Sequence, residues 1–384
     1  MLLSKQLVQS ALEAPPGHQH MKTSRLLDTG LLTWPSYPGL PTYTPIGADL
    51  IERVEAEVRG AARRRGYDEV RFPAIMSDED LGSGEEVGEQ FRSKVIPLDG
   101  LLAGHHLLTT PEMFIGCADD VISLSHRSLP IRISYTADIF RQVSDTFSFL
   151  RCRQFRVVGF IVLHADGSTA REHLQEMVDI TIEGMDRIGV PGETIWADDP
   201  VHAEVAYPCS EGDIVMDGPQ GRSRGLSVGV GAHYTSKAPL PLRYHTARNE
   251  RSPVSITSYA VCTNRLMYAS FDANRGERGF ELNERMRPFD VVVVPESAVD
   301  QDAALGLMTL LRDRGGRVAV DDRWSMRSSK RVSFAGFIGA PVAVAVADGV
   351  ASPTWFADAA TQPDVDGTLA AVVRVLGLEL ARPR

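Results

Sequence analysis

The spacing of apolar residues predicts a long amphipathic helix in the first part of the chain. Apolar side chains recur at helical spacing from Leu50 to Ala62, and Gly66 is a typical helix stop. A short strand at residues 69–72 follows this helix and ends at a proline. The other face of the helix carries charged residues, at Arg53, Glu55, Glu57 and Arg59.

A strand, a polar turn and a returning strand are predicted next. Residues 131–135 alternate between apolar and polar side chains, and residues 144–146 break that pattern. Because side chains alternate between the two faces of a strand, Arg151, Arg153 and Phe155 would share one face of the returning strand. Guanidinium groups there would hold phosphate oxygens, and the ring would lie against a base. Taken alone, such arginines are more often a solvated surface.

The C-terminal part of the chain alternates between strand and helix patterns. An apolar strand at 289–295, an amphipathic helix at 303–314 and a strand at 317–321 predict a parallel unit. A third strand at 341–346 and a final helix at 367–376 complete a small α/β domain.

Three further patterns lie upstream. Residues 1–45 read as a loop-rich lead-in, and residues 225–234 as a strand that passes close to a ligand or neighbour. A second helix is predicted over residues 168–188, and its buried side is marked by Leu174, Met177, Val178, Ile182 and Met185.

The composition is that of a globular protein. With 384 residues, of which 43% are hydrophobic and 23% charged, the chain is expected to bury a large core and to form two domains. We recognise no signal peptide and no apolar run of membrane-spanning length, so the cytoplasm is the expected compartment. A net charge of −10 argues against general affinity for nucleic acid. The four cysteines show no disulfide or zinc spacing and are interpreted as buried or incidental: Cys117, Cys152, Cys209 and Cys262.

Several motifs follow one another in a fixed order. They are the helix and strand of residues 50–73, Thr110-Pro111-Glu112, Phe140-Arg141, Arg151-Cys152-Arg153-Gln154-Phe155, residues 231–235, and residues 258–267 with Arg265. Together they resemble a class II aminoacyl-tRNA synthetase of the prolyl type, over nearly the whole chain. Residues 50–73 are similar to motif 1, the dimerisation element, and residues 258–267 to motif 3. Residues 125–132 match the approach to motif 2, whose elements are Phe140-Arg141 and Arg151-Cys152-Arg153-Gln154-Phe155.

The resemblance implies a role for each motif residue. Arg141 would hold the α-phosphate of ATP and Arg265 the γ-phosphate, and these two would be the catalytic residues. The ATP site would comprise Arg141, Arg151, Arg153, Phe155 and Arg265. The amino-acid substrate would be bound by Thr110, Glu112 and His164, with Glu112 on its ammonium group.

The implied chemistry explains these residue types. Amino-acid activation is attack of a carboxylate on the α-phosphorus of ATP, so negative charge builds on phosphate oxygens. Arginines at both ends of the triphosphate offset that charge, and Mg²⁺ accompanies the leaving pyrophosphate. No covalent enzyme intermediate is needed, and we expect no metal except Mg²⁺ with ATP.

The resemblance also implies an architecture. We expect an α/β fold, with a class II synthetase antiparallel sheet flanked by helices in residues 1–285 and a small anticodon-binding-like α/β domain in residues 286–384. Motif 1 implies a homodimer, and tRNA would be the acyl acceptor. An RNA-facing patch would be formed by Arg312, Arg314, Arg317, Arg323, Arg327, Lys330 and Arg331.

Some positions depart from the family pattern, and they cluster at the nucleotide. Val143 stands where motif 2 has an acidic residue, and Gly229 replaces a glutamine before motif 3. Ala260 and Cys262 replace glycines that let the backbone approach the ligand closely. The interval between motifs 2 and 3 leaves no room for the large editing insertion of many bacterial prolyl enzymes.

Three functions therefore stay open. The first is adenylation of proline or a similar small amino acid, followed by transfer to tRNA. The second is the same adenylation with transfer to a carrier protein or a small-molecule amine. The third is a non-catalytic protein that uses the synthetase fold for binding or regulation.

Overall fold

The structure of the chain is a computed structural model. It describes residues 1–5, 17–27, 30–34, 36–79, 93–116, 123–198, 201–218, 221–234, 242–356 and 379–380. The predicted final helix at 367–376, Cys117 and Thr235 lie outside the described residues. By contacts the chain divides into two compact units, which we call the large-sheet unit (Ser36–Pro41 and Ile51–Ala269) and the small-sheet unit (Met1–Pro35, Thr42–Leu50 and Ser270–Arg384). The predicted domain boundary between residues 285 and 286 stays a prediction.

Helices in the described residues include both long helices that the apolar spacing predicts. In chain order they are α1 (Thr23–Leu27), α2 (Pro45–Arg64), α3 (Glu112–Gly116), α4 (Ala170–Arg187), α5 (Thr263–Ala273), α6 (Gln301–Arg312) and α7 (Ser328–Phe337). Helix α2 begins earlier than predicted because the Thr44 hydroxyl caps it, accepting a hydrogen bond from the Gly47 amide at 3.0 Å, and Pro45 suits the first helical position.

Most of the described strands lie in the large-sheet unit. In chain order the strands of the chain are β1 (Thr33–Trp34), β2 (Thr42–Tyr43), β3 (Asp68–Val70), β4 (Ile75–Ser77), β5 (His105–Leu107), β6 (Leu124–Ser125), β7 (Ile131–Phe140), β8 (Gln154–His164), β9 (Glu193–Asp198), β10 (Val201–Pro208), β11 (Ile214–Gly218), β12 (Gly221–Tyr234), β13 (Arg243–His245), β14 (Arg251–Pro253), β15 (Ser255–Cys262), β16 (Val291–Pro295), β17 (Val318–Val320), β18 (Val342–Ala347), β19 (Val350–Trp355) and β20 (Glu379–Leu380).

The large sheet has eight strands in the order β3-β7-β8-β15-β12-β10-β9, with β11 paired to β12. Its neighbours are antiparallel except at the edge, where β3 runs parallel to β7. The predicted strand, turn and returning strand are confirmed as β7 and β8, which pair from Ile131 opposite Leu163 to Phe140 opposite Gln154. The predicted antiparallel sheet flanked by helices is therefore confirmed.

The two faces of the large sheet have different partners. Helix α4 packs on one face, over β10, β12 and β15, and α2 lies against α4. Gly184 permits this approach, since a Cβ there would come within 2.9 Å of Val58 Cγ2. The other face carries an apolar cluster that includes Tyr135, Val157 and Ile256. We call it the open face, because the motif residues converge there.

One charge on α2 departs from the sequence pattern. Glu55, which the pattern places on the charged face, is only 1% exposed. Its two carboxylate oxygens accept hydrogen bonds from Arg156 on β8, at 2.7 and 2.9 Å. An ion pair thus ties the helix to the middle of the sheet.

The small-sheet unit contains a five-stranded sheet in the order β17-β16-β18-β19-β20. The predicted parallel unit is confirmed, since β16 runs parallel to both β17 and β18. Helix α6 packs on β16 and β17, and α7 on β16 and β18, which explains why every residue of β16 is buried. The N-terminus is more ordered than the predicted loop-rich lead-in: Leu2 bridges Val320 at the sheet edge, and Ser4 donates hydrogen bonds to Asp322.

The predicted RNA-facing patch is wrong for two of its residues. Arg323 and Arg331 are each 1% exposed. Arg323 pairs with the buried Asp321 carboxylate, and Arg331 donates to the Asp321 carbonyl at 2.5 Å. Arg317 is also engaged, by Asp290 at 2.6 Å. The exposed members of the patch are Arg312, Arg314, Arg327 and Lys330.

Candidate active site

A buried carboxylate lies at the start of α3. Glu112 is 5% exposed. Its Oε2 accepts a hydrogen bond from the Thr110 hydroxyl, and its Oε1 accepts from Ser258 Oγ at 2.8 Å and from the Tyr135 hydroxyl at 3.5 Å. Because hydroxyl donors orient a carboxylate without neutralising it, Glu112 is suited to bind a cation such as an ammonium group.

Two buried tyrosines near Glu112 keep their hydroxyl groups protonated. Burial, followed by the negative charge of Glu112, raises the pKa of Tyr135 and that of Tyr234. Tyr135 lies over Gly159 on the neighbouring strand, where a Cβ would come within 2.1 Å of its ring. Sequence reasoning missed Tyr135 and Ser258, because they lie on different strands, β7 and β15, and only the pairing of the strands in the sheet brings them to one face.

Arg141 directly follows β7 and lies close to this carboxylate. Its amide donates to the Arg153 carbonyl at 2.8 Å, and its guanidinium lies 5.2 Å from the centre of the Phe155 ring. Burial lowers the pKa of Arg141, and the charge of Glu112 acts in the opposite direction. A guanidinium stays charged even so, which leaves a desolvated cation beside the pocket.

The structure places Arg265 in the first turn of α5. Its Nε donates to the Leu150 carbonyl at 3.0 Å, and its Nη1 to the Ser227 carbonyl at 2.7 Å. Its Nη2 donates to Asp213 Oδ2 at 2.8 Å. The charge of Arg265 acts on Arg141, so the two arginines belong to one site. Sequence reasoning missed Asp213, which lies in the loop between β10 and β11.

The predicted shared face of Arg151, Arg153 and Phe155 is wrong for both arginines. Strand β8 begins only at Gln154, so strand alternation does not orient Arg151 and Arg153, which precede it. Arg153 instead donates to the carbonyls of Pro38 at 2.9 Å and Val143 at 3.3 Å, and Arg151 is exposed. The open face retains Phe155, which packs against the apolar cluster.

A further cation, missed in the sequence, adjoins Arg141. The carbonyl of Lys94 accepts a hydrogen bond from the Gln142 amide at 2.8 Å. Burial, followed by the charge of Arg141, lowers the pKa of Lys94. The charges of Lys94 and Arg265 thus act together with that of Arg141, which lies close to the buried carboxylate, an arrangement suited to an anion and an ammonium group together.

The structure does not bring His164 together with Thr110 and Glu112. Its ring lies beside α4, and the centre of the ring is 4.9 Å from the ring centre of His173 and 5.6 Å from that of His233. His164 Nε2 contacts Thr257 Oγ1 at 3.0 Å, whereas the next residue on β15, Ser258, faces Glu112. Burial lowers the pKa of His164 to about 4, so the ring is neutral near pH 7.

The positions that depart from the family pattern have local explanations. A side chain at Gly229 would collide with Tyr259, because its Cβ would lie 2.5 Å from the Tyr259 hydroxyl. Ala260 and Cys262 are half-buried, and Ala260 packs on the apolar cluster. Burial raises the pKa of the Cys262 thiol, which keeps it protonated between the two arginines.

The described residues contain neither a candidate metal-binding cluster nor a candidate membrane-spanning helix. Across these ranges, His, Cys, Asp and Glu side chains form no cluster of three or more arranged to hold a metal ion. No helix within the described part of the chain has the length and apolar character needed to cross a membrane.

Sequence comparison with known proteins finds similarity to proline–tRNA ligases. No family model matches the chain. The proline–tRNA ligase of Methanopyrus kandleri is 26% identical over 329 residues, 80% of this chain and 66% of that protein. The ligases of Thermococcus kodakarensis and Agrobacterium fabrum are 24% and 21% identical over 78% and 90% of this chain. The chain spans just under two thirds of the two archaeal proteins and 92% of the Agrobacterium protein.

Solved structures give the same result for the fold. Giardia lamblia prolyl-tRNA synthetase, in complex with prolyl-adenylate, matches 93% of this chain and 79% of its own with a TM-score of 0.70 at 16% identity. The enzyme from Cryptosporidium parvum, with halofuginone and AMPPNP, matches 96% of this chain with a TM-score of 0.69 at 14% identity. The predicted resemblance is confirmed: the chain is similar to prolyl-tRNA synthetases in sequence and has their class II fold.

Proposed function

We propose that this chain activates proline or a similar small amino acid with ATP and transfers it from the adenylate to tRNA. The observation that carries the proposal is the proximity of a buried carboxylate, Glu112, to a desolvated guanidinium, Arg141. One binds a cation and the other an anion, which matches a substrate ammonium group and the α-phosphate of ATP. Similarity to proline–tRNA ligases over most of the chain supports the same reaction.

The reaction assigns a task to each residue. The substrate carboxylate forms a bond to the α-phosphorus, and the bond to the β-phosphate oxygen breaks to release pyrophosphate. Arg141 would offset charge on the α-phosphate and Arg265 on the γ-phosphate, while Phe155 offers an apolar surface for adenine. Mg²⁺ enters with ATP as part of the substrate and offsets the charge of the phosphates. Arg153 donates a hydrogen bond to the Pro38 carbonyl, and Arg151 is exposed. We propose that these two arginines contribute less to ATP binding than Arg141 and Arg265.

Assembly and location form part of the proposal. The edge strand β3 and helix α2 correspond to the motif 1 element, and we propose that they form the interface of a homodimer. Residues 286–384 would recognise the tRNA anticodon. We propose the cytoplasm as the compartment, since the substrates and tRNA of such an enzyme are found there.

Amino-acid-dependent ATP–pyrophosphate exchange tests the proposal. The panel comprises proline, serine, threonine, alanine and their cyclic or hydroxylated analogues. Exchange with one of them establishes adenylation and identifies the substrate. Arg141→Ala is expected to abolish both the exchange and the rise in melting temperature that ATP with Mg²⁺ produces. Absence of exchange beside an active control enzyme would overturn the proposal in favour of a non-catalytic binder.

A second acceptor class is favoured by one observation. Arg323 and Arg331 are buried in the small-sheet unit, which removes two charges from the expected RNA-facing patch. We therefore propose, as the alternative, transfer to a carrier protein or a small-molecule amine. Filter assays with labelled amino acid and either tRNA or a candidate acceptor separate the two, because only transfer to tRNA yields nuclease-sensitive product.

A further inference from the structure

Arg265 is held in place by the main chain. Its Nε donates to the Leu150 carbonyl at 3.0 Å and its Nη1 to the Ser227 carbonyl at 2.7 Å. Backbone carbonyls on two different segments thus fix both the position and the plane of the guanidinium. No carboxylate is needed to orient it.

A carboxylate nevertheless covers its outer edge. Asp213 Oδ2 accepts from Arg265 Nη2 at 2.8 Å, and Oδ1 accepts from Nη1 at 3.4 Å. Asp213 Oδ1 also accepts from the Ser227 amide at 3.4 Å. The Asp213 side chain is 45% exposed, whereas that of Arg265 is 17% exposed. The carboxylate therefore lies on the solvent side of a fixed guanidinium.

Phosphate and carboxylate compete for the same donors. A guanidinium has five N–H groups, and those of Arg265 donate to Leu150, to Ser227 and twice to Asp213. A phosphate that binds through two parallel hydrogen bonds must take the edge that Asp213 occupies. Because half-exposed ion pairs are weak, this exchange costs little.

We propose that Asp213 is an internal counter-ion of Arg265, which gives up the phosphate-binding edge when a triphosphate binds and recovers it when pyrophosphate leaves. Asp213 then lowers affinity for the triphosphate end of a nucleotide and favours release of pyrophosphate. It acts through Arg265 and is a positioning residue. That the anion is the triphosphate of ATP rests on the proposed function, whereas the competition itself does not.

Asp213→Asn tests the competition with inorganic tripolyphosphate as the probe, in Mg²⁺-free buffer. Asparagine keeps the shape and removes the charge, so tripolyphosphate is expected to bind about two- to five-fold more tightly by calorimetry. Binding of AMP, which lacks the γ-phosphate, should not change. Glu250→Gln makes the same change in net charge at an exposed position, in the turn between β13 and β14 of another sheet, and is expected to leave both affinities unchanged.

A double variant shows that the gain acts through Arg265. Asp213→Asn combined with Arg265→Gln is expected to show no gain over Arg265→Gln alone. Unchanged or weaker tripolyphosphate binding by Asp213→Asn, with a melting temperature like that of the parent, overturns the inference. So does an equal gain in Glu250→Gln. A gain in a protein that shows no ATP–pyrophosphate exchange keeps the counter-ion and removes the proposed function alone.

If exchange is present, kinetics adds an independent readout. Asp213→Asn should lower the KM for ATP, and it should strengthen inhibition by added pyrophosphate by a similar factor. A merely structural role would lower kcat and stability together and would leave the two ligand effects unlinked. Asp213→Ser provides a second variant should the asparagine protein fail to fold.

Discussion

Glu112 is a buried carboxylate that is held by neutral hydroxyl groups. The hydroxyls of Thr110, Tyr135 and Ser258 donate to its carboxylate and fix it without adding a positive charge. The pocket around Glu112 is therefore suited to bind a cation. Arg141, whose pKa is raised by the charge of Glu112 against the larger effect of burial, carries the complementary site for an anion.

Glu112→Gln tests whether Glu112 binds the ammonium group of the substrate while Arg141 binds the phosphate. The substitution keeps the shape and removes the charge, so the KM of the amino acid is expected to rise about 100-fold in pyrophosphate exchange. The rise in melting temperature with ATP and Mg²⁺ should persist. Glu79→Gln, at an exposed carboxylate, is the matched control and should change neither readout. Loss of ATP binding in Glu112→Gln would contradict the assignment to the ammonium group.

The histidines beside α4 predict a dependence of stability on pH. His164 has a pKa of about 4 in the fold against an ordinary value of 6.5, and burial also lowers the pKa of His173 and His233. Between those pH values the unfolded chain binds the proton and the folded chain does not. The contribution of His164 is therefore full above pH 6.5 and falls as the pH decreases toward 4, by up to roughly 3 kcal/mol. Charged neighbours that act on these rings are Asp166, Arg132, Glu172 and Glu176.

His164→Gln should flatten this part of the pH profile. Denaturant unfolding of the variant and the parent at pH 7 and pH 5 measures the difference. The parent is expected to lose more free energy of unfolding than the variant over that interval. His126→Gln, at an exposed histidine, should behave as the parent does. Parallel losses in parent and variant would show that His164 is not the group that titrates.

At the scale of elements, one ion pair links α2 to the large sheet. Glu55 accepts two hydrogen bonds from Arg156, and the Thr263 hydroxyl at the start of α5 lies 3.5 Å from its Oε1. Glu55 lies in the segment similar to motif 1, Thr263 lies in the one similar to motif 3, and Arg156 directly follows the one similar to motif 2. We infer that this pair holds the three motifs in register behind the open face.

Glu55→Gln is expected to lower the free energy of unfolding by about 2 to 3 kcal/mol. Removing one partner leaves the other charge desolvated, and the partial exposure of Arg156 keeps the loss below that of a fully buried pair. Urea denaturation measures it. Glu52→Gln removes an exposed carboxylate from the same helix and should cost less than about 0.5 kcal/mol. Equal effects of the two variants would refute a structural role for the pair.

At the scale of the whole molecule, the distribution of charge decides where tRNA can bind, and the net charge does not. The chain carries a net charge of −10, yet Arg327 and Lys330 are exposed at the start of α7, while the neighbouring Arg331 is buried. Local positive charge attracts a phosphate backbone even on an acidic protein. These two side chains are therefore the better candidates for contact with tRNA.

Arg327→Ala combined with Lys330→Ala tests this contact. Affinity for tRNA should fall, and the slope of log affinity against log salt concentration should decrease by about 2, since two phosphate contacts are lost. Arg331→Ala should instead lower the melting temperature, because the Arg331 side chain is internal. An unchanged salt slope in the double variant would place the RNA contact elsewhere or favour another acceptor.

The sequence was sufficient wherever a pattern is local and repeated. Apolar spacing fixes α2 and α4, alternation fixes β7 and β8, and the apolar run at 289–295 fixes β16, because each depends on periodic burial of neighbouring residues. Motif order was enough to predict the fold.

The tertiary structure alone decided which side chains meet. Glu55 and Arg331 read as surface charges in the sequence, and each of them, like Asp213, has a partner 35 or more residues away. His164 and Ser258 lie on neighbouring strands yet serve opposite faces, since strand pairing, and not sequence distance, sets the face that each one joins.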